Sequence, residues 1–288
     1  MQNIGFIGLG NMGGRVASAI ASKGYPLYVF DLSGDATKVF KEKANISSSV
    51  LQVLEKSEIV FLSLPSSKQV MEVINVFLEA EVNGKIIVDT STSYPITTKE
   101  LYKKLLLKGC RFVDMPLSGA PADADKGSLL ALFGGDEELF EQLKPVVACF
   151  ANRYVRLGES GSGHVAKLIF NFIALSYVNT YAMAFPLAEK MGLDSQQIFE
   201  LLRTTSMACG VLDFYAPKMF NKTYDMAFAL ELAHKDLTYV KKMFEEYQVP
   251  AFALDGTLDL LRTAIRDGKG KDDYSACIST MFEYFANK

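Results

Sequence analysis

Short hydrophobic runs alternate with amphipathic stretches through the first half of the chain. The runs are continuous, which is typical of strands whose two faces are both covered by helices. The stretches between them have apolar residues at helical spacing. We therefore predict an α/β fold with a doubly wound parallel sheet over residues 1–162. The predicted strands are Ile4–Ile7, Pro26–Phe30, Glu58–Leu64, Lys85–Asp89, Arg111–Asp114, Leu129–Phe133 and Arg153–Leu157.

Strand patterns stop beyond Gly161-Ser162-Gly163, which we expect to be flexible, and helical patterns follow. Gly192 ends the first long helix, and Asp194 is a suitable N-cap for the next one. We predict an all-α domain over 163–288, joined to the first domain by the long helix. A ligand is expected in the crevice between the domains, near the carboxyl ends of the strands. The predicted helices are 164–191, 194–205, 211–219, 228–247, 252–267 and 272–286.

A glycine-rich turn follows the first strand and leads directly into an amphipathic helix. Gly8 permits the tight turn, Gly10 lets the backbone approach a pyrophosphate, and Gly13 lets the helix pack on the strand. The second strand ends in Asp31, about 20 residues on, where a ribose-binding carboxylate belongs. The alternative is an ordinary turn and a strand-end aspartate. The pattern predicts a Rossmann-type dinucleotide site formed by Gly8, Leu9, Gly10, Asn11, Met12, Gly13 and Asp31.

Lysine is a better candidate for proton transfer than histidine. His164 and His234 are the only histidines, and neither has a recognisable His–Asp or His–Arg setting. Lys167 and Asn171 are four residues apart near the start of the long helix and so share one face. A lysine on an apolar helix either snorkels to water or lines a cavity, where it can exchange a proton with a carbonyl oxygen. We favour the second interpretation because Lys167 is expected at the crevice.

Two further segments are candidates for substrate binding. The Ser118 hydroxyl and the amides of Gly119 and Ala120 could hold a carboxylate as a small anion nest, although a plain turn has the same composition. Lys235 and Asp236 lie on a predicted helix, where adjacent opposite charges are common on solvated faces.

Composition excludes several function classes. The formal net charge of −3 and the lack of a basic tract argue against nucleic acid as a partner. The four cysteines are scattered without metal-ligand spacing, so we expect reduced thiols, no metal and a cytoplasmic protein. The first strand begins near residue three, so no signal peptide is expected. Residues 165–188 are apolar enough for a membrane span, but they contain polar residues and no second span accompanies them, so we favour a buried helix.

Four motifs in this order resemble the β-hydroxyacid dehydrogenase family, over essentially the whole chain. They are Gly-Leu-Gly-Asn-Met-Gly at 8–13, Asp-Met-Pro-Leu-Ser-Gly-Ala at 114–120, Gly-Ser-Gly-x-x-x-Lys-x-x-x-Asn at 161–171 and Lys-Asp-Leu at 235–237. Val-Asp-Thr-Ser-Thr at 88–92 is a weaker fifth match. The resemblance implies an NAD(P)-dependent enzyme that interconverts a small hydroxy acid, such as 3-hydroxyisobutyrate, and its semialdehyde. It also implies a homodimer or homotetramer formed through the helical half.

The resemblance further implies roles for individual residues. Lys167 would be the catalytic acid/base, with Asn171 positioning it and the substrate. NADP-preferring relatives have an arginine at the position of Leu32, so Asp31 favours NAD over NADP. The remaining implied residues are Ser118, Gly119 and Ala120 for the substrate carboxylate, Phe228, Lys235 and Asp236 from the helical half, and Leu64, Pro65, Ser91, Thr92 and Lys235 for the cofactor. Among the cofactor residues, the resemblance implies that Thr92 lies near the nicotinamide.

Substrate identity stays open at this point. Ala120 replaces a family glycine and Met115 a smaller residue, so we expect both to shape the pocket together with Phe228 and a loop at 206–215. A glyoxylate or succinic semialdehyde reductase has the same motifs. An imine reductase or a non-catalytic binding module has the same fold, but such relatives usually lack the lysine found here at position 167.

Overall fold

The computed structural model describes residues 1–286. The chain divides into two compact units, Met1–Lys167 and Leu168–Lys288. One long helix begins in the first unit and continues into the second. The boundary predicted from the sequence lies a few residues earlier, at the first turn of that helix.

The first unit is built on a nine-stranded sheet with the order β3-β2-β1-β4-β5-β6-β8-β7, in which β9 pairs with β8. The pairs from β3 to β6 are parallel, β8 is antiparallel to β6 and β7, and β9 is parallel to β8. The parallel-dominated α/β fold is therefore confirmed. The strands are β1 (Ile4–Ile7), β2 (Leu27–Phe30), β3 (Asn45–Ile46), β4 (Ile59–Leu62), β5 (Ile86–Asp89), β6 (Arg111–Asp114), β7 (Leu117–Ser118), β8 (Leu129–Gly134) and β9 (Ala151–Gly158).

Helices cover both faces of this sheet. Alternate residues of β1 point to opposite faces, so Phe6 joins one hydrophobic cluster and Ile7 another. Burial of each such side chain contributes about 1.5–3 kcal/mol, which explains why these strands are continuously apolar. The edge strand β9 differs, since its exposure largely alternates along the strand. The helices are α1 (Gly13–Ser22), α2 (Gly34–Lys38), α3 (Val50–Lys56), α4 (Ser67–Leu78), α5 (Pro95–Leu106), α6 (Pro121–Asp125) and α7 (Glu137–Val147).

The second unit is helical, as predicted. Its core helix is α8, from which Leu168, Leu175, Val178, Ala182 and Phe185 enter one buried cluster. The segment 206–215, expected as a pocket loop, is partly helical because α10 begins at Gly210. The helices are α8 (Ser162–Lys190), α9 (Ser195–Arg203), α10 (Gly210–Asn221), α11 (Leu230–Glu246), α12 (Phe252–Ala264) and α13 (Cys277–Ala286), with a π turn at Ile265–Lys269 and a 3₁₀ turn at Tyr274–Ala276.

Within residues 1–286, α8 is the one helix long and apolar enough to cross a membrane, and 39% of its apolar window is buried. The buried side chains belong to the core of the second unit. A core helix of a globular unit passes the same length and composition test, so this helix is weak evidence for a span.

Candidate functional site

The glycine-rich turn has the conformation that a dinucleotide site requires. Gly8 has φ +95°, and a Cβ at Gly8 or Gly13 would collide with backbone oxygen atoms. A Cβ at Gly10 would meet nothing within 4 Å. No side chain among residues 1–286 caps the N-terminus of α1. The turn therefore presents open space beside the amino end of a helix, which fits the pyrophosphate of NAD or NADP.

Asp31 is fixed directly after β2. Its Oδ2 accepts a hydrogen bond from the Leu9 N–H at 2.6 Å, and its Oδ1 accepts one from the Ser33 N–H at 2.7 Å. A carboxylate oxygen can accept a second bond, so the group can still receive ribose hydroxyls. Lys38, which follows Asp31 by seven residues and could offset part of its charge, forms an ion pair with Asp35 at 2.6 Å.

Two segments predicted to line the cofactor meet at the carboxyl ends of β4 and β5. The Leu64 N–H donates to Ser91 Oγ at 2.9 Å. The Ser91 N–H donates to Asp89 Oδ1 at 2.9 Å, and the Ser93 hydroxyl donates to Asp89 Oδ2 at 2.8 Å. Asp89 is fully buried, so this carboxylate organises the loop that carries Ser91 and Thr92.

Asp114 holds the beginning of α8 against the end of β6. Its Oδ1 accepts from the Gly161 N–H at 2.6 Å and its Oδ2 from the His164 N–H at 2.8 Å. Burial raises the pKa of Asp114, and these bonds and His164 oppose the shift. A Cβ at Gly163 would lie 2.9 Å from Asp114 Oδ2. The expected flexible Gly-Ser-Gly link is thus a packed junction, and it fixes the turn that leads to Lys167.

His164 lies in a setting that the sequence did not reveal. The imidazole is fully buried, with Nε2 3.7 Å from Asp89 Oδ2 and Nδ1 3.9 Å from Asp114 Oδ2. Two carboxylates therefore flank it. They come from β5 and β6, which are adjacent in the sheet but distant from His164 in the sequence.

The predicted anion nest is altered in the structure. Ser118 belongs to β7, and Gly119 follows with φ +132°. The Ala120 N–H already donates to Asp123 Oδ2 at 2.8 Å, closing the first turn of α6. The Ala120 N–H is therefore occupied by a protein carboxylate in this structure, and the roles of Ser118, Gly119 and Ala120 in binding the substrate carboxylate stay predictions.

Met115 does not shape a pocket for substrate. Its side chain is 1% exposed and belongs to the hydrophobic core of the first unit, beside Phe133 and Leu143. The residue continues the alternation of β6, so its larger size fills the core. The expectation that Met115 helps to shape the substrate pocket is therefore wrong.

In the second unit, Asn171 and Asp236 form a buried pair. Asn171 Nδ2 donates to Asp236 Oδ2 at 2.6 Å, and the two residues are 6% and 1% exposed. Lys235 Nζ lies 3.1 Å from Asp236 Oδ1, although that oxygen has no hydrogen bond of good geometry within residues 1–286. Lys235 and Asp236 are thus not a pair on a solvated face, which the sequence alone had left open.

Phe228 is held by a residue that sequence reasoning missed. Its N–H donates to Asp273 Oδ2 at 3.1 Å, and its carbonyl accepts from the Tyr274 N–H at 2.8 Å. Asp273 is buried and also accepts from the Ser275 N–H and hydroxyl. The Asp-x-Ser pattern is a signal for a local cap, but it gives no indication of the distant contact.

Comparisons with known proteins agree with this geometry. Residues 3–158 match the family described as the NAD-binding domain of 6-phosphogluconate dehydrogenase. Residues 161–281 match the family described as NAD-binding of NADP-dependent 3-hydroxyisobutyrate dehydrogenase. Mitochondrial 3-hydroxyisobutyrate dehydrogenase of Mus musculus is 31% identical over 98% of this chain and 86% of its own length. The 2-hydroxy-3-oxopropionate reductase of Escherichia coli K12 is 29% identical and covers 99% of both chains.

Solved structures show the same fold. A 3-hydroxyisobutyrate dehydrogenase of Mycobacterium tuberculosis, with L-serine, has a TM-score of 0.90 at 24% identity, covering 98% of this chain and 99% of its own. Fold, glycine-rich turn and family matches together define an NAD(P)-dependent oxidoreductase with a Rossmann-type unit and a helical unit. Within that class, the chain belongs to the β-hydroxyacid dehydrogenase family.

Proposed function

We propose that this protein interconverts a small hydroxy acid of the 3-hydroxyisobutyrate type and its semialdehyde, with Lys167 as the acid/base. The observation that carries the proposal is the junction at Asp114. It fixes the first turn of α8, one turn before Lys167, at the end of β6. In the same unit, the glycine-rich turn and the Ser91 loop provide the cofactor surface. The relatives named above support the substrate class.

The bound nicotinamide supplies or accepts the hydride. In reduction, Lys167 Nζ gives a proton to the carbonyl oxygen of the substrate, and in oxidation it accepts the hydroxyl proton. Oxidation therefore requires the neutral amine, so its rate should rise toward alkaline pH. Ser118 donates to the substrate carboxylate, and Asn171, held by Asp236, positions the substrate and the lysine. Asp31 favours NAD over NADP because a carboxylate repels a 2′-phosphate.

The test compares Lys167→Ala with the wild type. The variant should lose about 10²–10⁴-fold in kcat because a proton-transfer group is removed, while its Kd for NADH stays unchanged. Lys190→Ala, at the other end of the same helix, is the matched control and should keep wild-type kcat. If Lys167→Ala keeps more than about a tenth of kcat, the lysine is not the acid/base.

A substrate panel tests the reaction class separately. Wild-type protein is assayed with 3-hydroxyisobutyrate, glycerate, 4-hydroxybutyrate, glyoxylate and succinic semialdehyde, each with NAD(H) and NADP(H). Turnover fastest with 3-hydroxyisobutyrate supports the proposal. Turnover fastest with glyoxylate or succinic semialdehyde assigns the chain to the semialdehyde reductases instead, and no turnover with any substrate contradicts the proposed class.

We also propose that the protein is a homodimer or homotetramer. Large apolar side chains project from one face of α8, each at least two fifths exposed, and a patch of this kind is typical of an interface between copies. Light scattering on the purified protein tests the assembly, and a monomer would contradict it. The exposed residues on this face of α8 are Ile169, Ile173, Tyr177, Met183 and Leu187.

A cytoplasmic location stays a prediction.

A further inference from the structure

The buried imidazole of His164 has no part in the proposed proton transfer, yet both of its nitrogens have partners. Nε2 lies 3.1 Å from the carbonyl oxygen of Ser91, and Nδ1 lies 2.8 Å from Thr98 Oγ1. A carbonyl oxygen can only accept, so Nε2 carries a proton and donates it to Ser91. His164 therefore forms a directed bond to the backbone of the loop after β5.

Every polar group of Ser91 is held by a neighbour. Its N–H is bound by Asp89, its hydroxyl oxygen accepts from Leu64, and its carbonyl accepts from His164. The next peptide unit leads into Thr92. The bond from His164 holds the Ser91 carbonyl, so it restrains the plane of the peptide that joins Ser91 to Thr92.

His164 is also fixed through its own backbone. Its N–H donates to Asp114 Oδ2 at 2.8 Å, and Lys167 follows three residues later on α8. One residue thus connects the loop that carries Thr92 to the helical turn that carries Lys167. Both ends of this connection lie within the first unit.

We propose that His164 is a positioning residue for the nicotinamide end of the cofactor, acting through the Ser91 carbonyl. The proposal rests on the proposed function only in taking the Ser91–Thr92 loop as the surface beside the nicotinamide. Without the bond from Nε2, the loop loses the group that holds the peptide before Thr92. The adenosine and pyrophosphate end, at the glycine-rich turn and Asp31, does not depend on this bond.

Two amide variants of His164 test the roles of the two ring nitrogens, Nε2 and Nδ1, separately. In His164→Gln the amide nitrogen can reach the position of Nε2, whereas in His164→Asn it can reach only that of Nδ1. Binding is measured by calorimetry for two probes, NADH and ADP-ribose, which share the adenosine, the pyrophosphate and both riboses and differ in the nicotinamide ring. Circular dichroism checks that each variant is folded.

We expect His164→Asn to bind NADH about five- to twentyfold more weakly, which is the loss that one buried hydrogen bond produces. Its Kd for ADP-ribose should change less than about twofold, and His164→Gln should resemble the wild type for both probes. Equal weakening for both probes would show a general structural role and overturn the proposal. Unchanged NADH binding in His164→Asn, or equal loss in His164→Gln, would also overturn it.

If His164→Asn does not fold, Thr98→Val provides the second test. It removes the hydroxyl at Nδ1 and leaves His164 in place, so it should weaken NADH binding selectively but less strongly. Equal effects on both probes contradict the proposal here too. These binding measurements do not require turnover. An inactive wild-type enzyme with the expected binding pattern would refute the proposed reaction and leave the role of His164 supported.

Discussion

The buried Asn171–Asp236 pair should behave as one energetic unit in the helical half of the protein. Asn171 Nδ2 donates to Asp236 Oδ2 at 2.6 Å, between α8 and α11. Both residues are less than a tenth exposed, so solvent screens the bond little. The perturbation is a double-mutant cycle that consists of Asn171→Ala, Asp236→Ala and the double variant.

The expected magnitude follows from the type of bond. A hydrogen bond to a charged group contributes about 1.5–3 kcal/mol. In Asn171→Ala the buried carboxylate also loses its donor, so the single variant is destabilised by at least this amount. In the double variant both partners are absent, so the free energy of unfolding falls by less than the sum of the decreases in the two single variants. The coupling free energy should therefore be about 1.5–3 kcal/mol.

The assay is denaturant unfolding followed by circular dichroism, with kcat/KM measured on the same samples. Asn179 supplies the matched control, because it lies two turns further along α8, is 2% exposed and has no bond to Asp236 among the described residues. The Asn179→Ala and Asp236→Ala changes should be additive within about 0.5 kcal/mol. A coupling below about 0.5 kcal/mol for the Asn171 pair would refute the reasoning.

Three further predictions test the other parts of the site. Ser118→Ala should raise KM for carboxylate substrates by about tenfold or more, and an equal loss on an uncharged aldehyde would contradict its role. The enzyme should prefer NAD over NADP by at least about tenfold in kcat/KM. The Asp31→Asn, Leu32→Arg double variant should narrow or reverse that preference. Equal kcat/KM with both cofactors in the wild-type enzyme would contradict the predicted preference for NAD. Burial raises the pKa of Cys110 and Cys277 to about 12, whereas unfolded thiols ionise near pH 8.5. The free energy of unfolding should therefore fall as pH rises above about 9, less steeply in the Cys→Ala variants, and an unchanged slope would contradict the prediction.

Long periodic segments were predictable from the sequence, because each element buries its own apolar face. The core strands β1, β2, β4, β5 and β6 and the helices of the second unit all correspond to such segments. The short strands β3 and β7 have two residues each, too few for a hydrophobic pattern to develop. They exist because a neighbouring strand offers free backbone groups, and that information lies in the tertiary structure.

The site was predictable where one local segment carries the chemistry. The glycine-rich turn needs its glycines for reasons of local backbone geometry, so Gly8 and Gly13 could be identified directly. The bond from the Ala120 N–H to Asp123 could not be foreseen from the composition of the predicted anion nest. Composition cannot decide between a substrate carboxylate and a protein carboxylate that compete for the same N–H group.

The capping of α8 shows why the parts of the site that depend on residues distant in the sequence could not be predicted. Local rules assign the N-cap to a Ser, Thr, Asp or Asn at the helix start, and Ser160 and Ser162 satisfy them. Both hydroxyls are buried without a hydrogen bond within residues 1–286. Asp114 binds the N–H groups of Gly161 and His164 instead. A carboxylate offers two oxygens and accepts both bonds at once, whereas a serine offers one. Asp114 therefore caps the helix in place of the two local serines. The same two hydrogen bonds hold the helix that carries Lys167 against the carboxyl ends of the strands, where the cofactor loops meet.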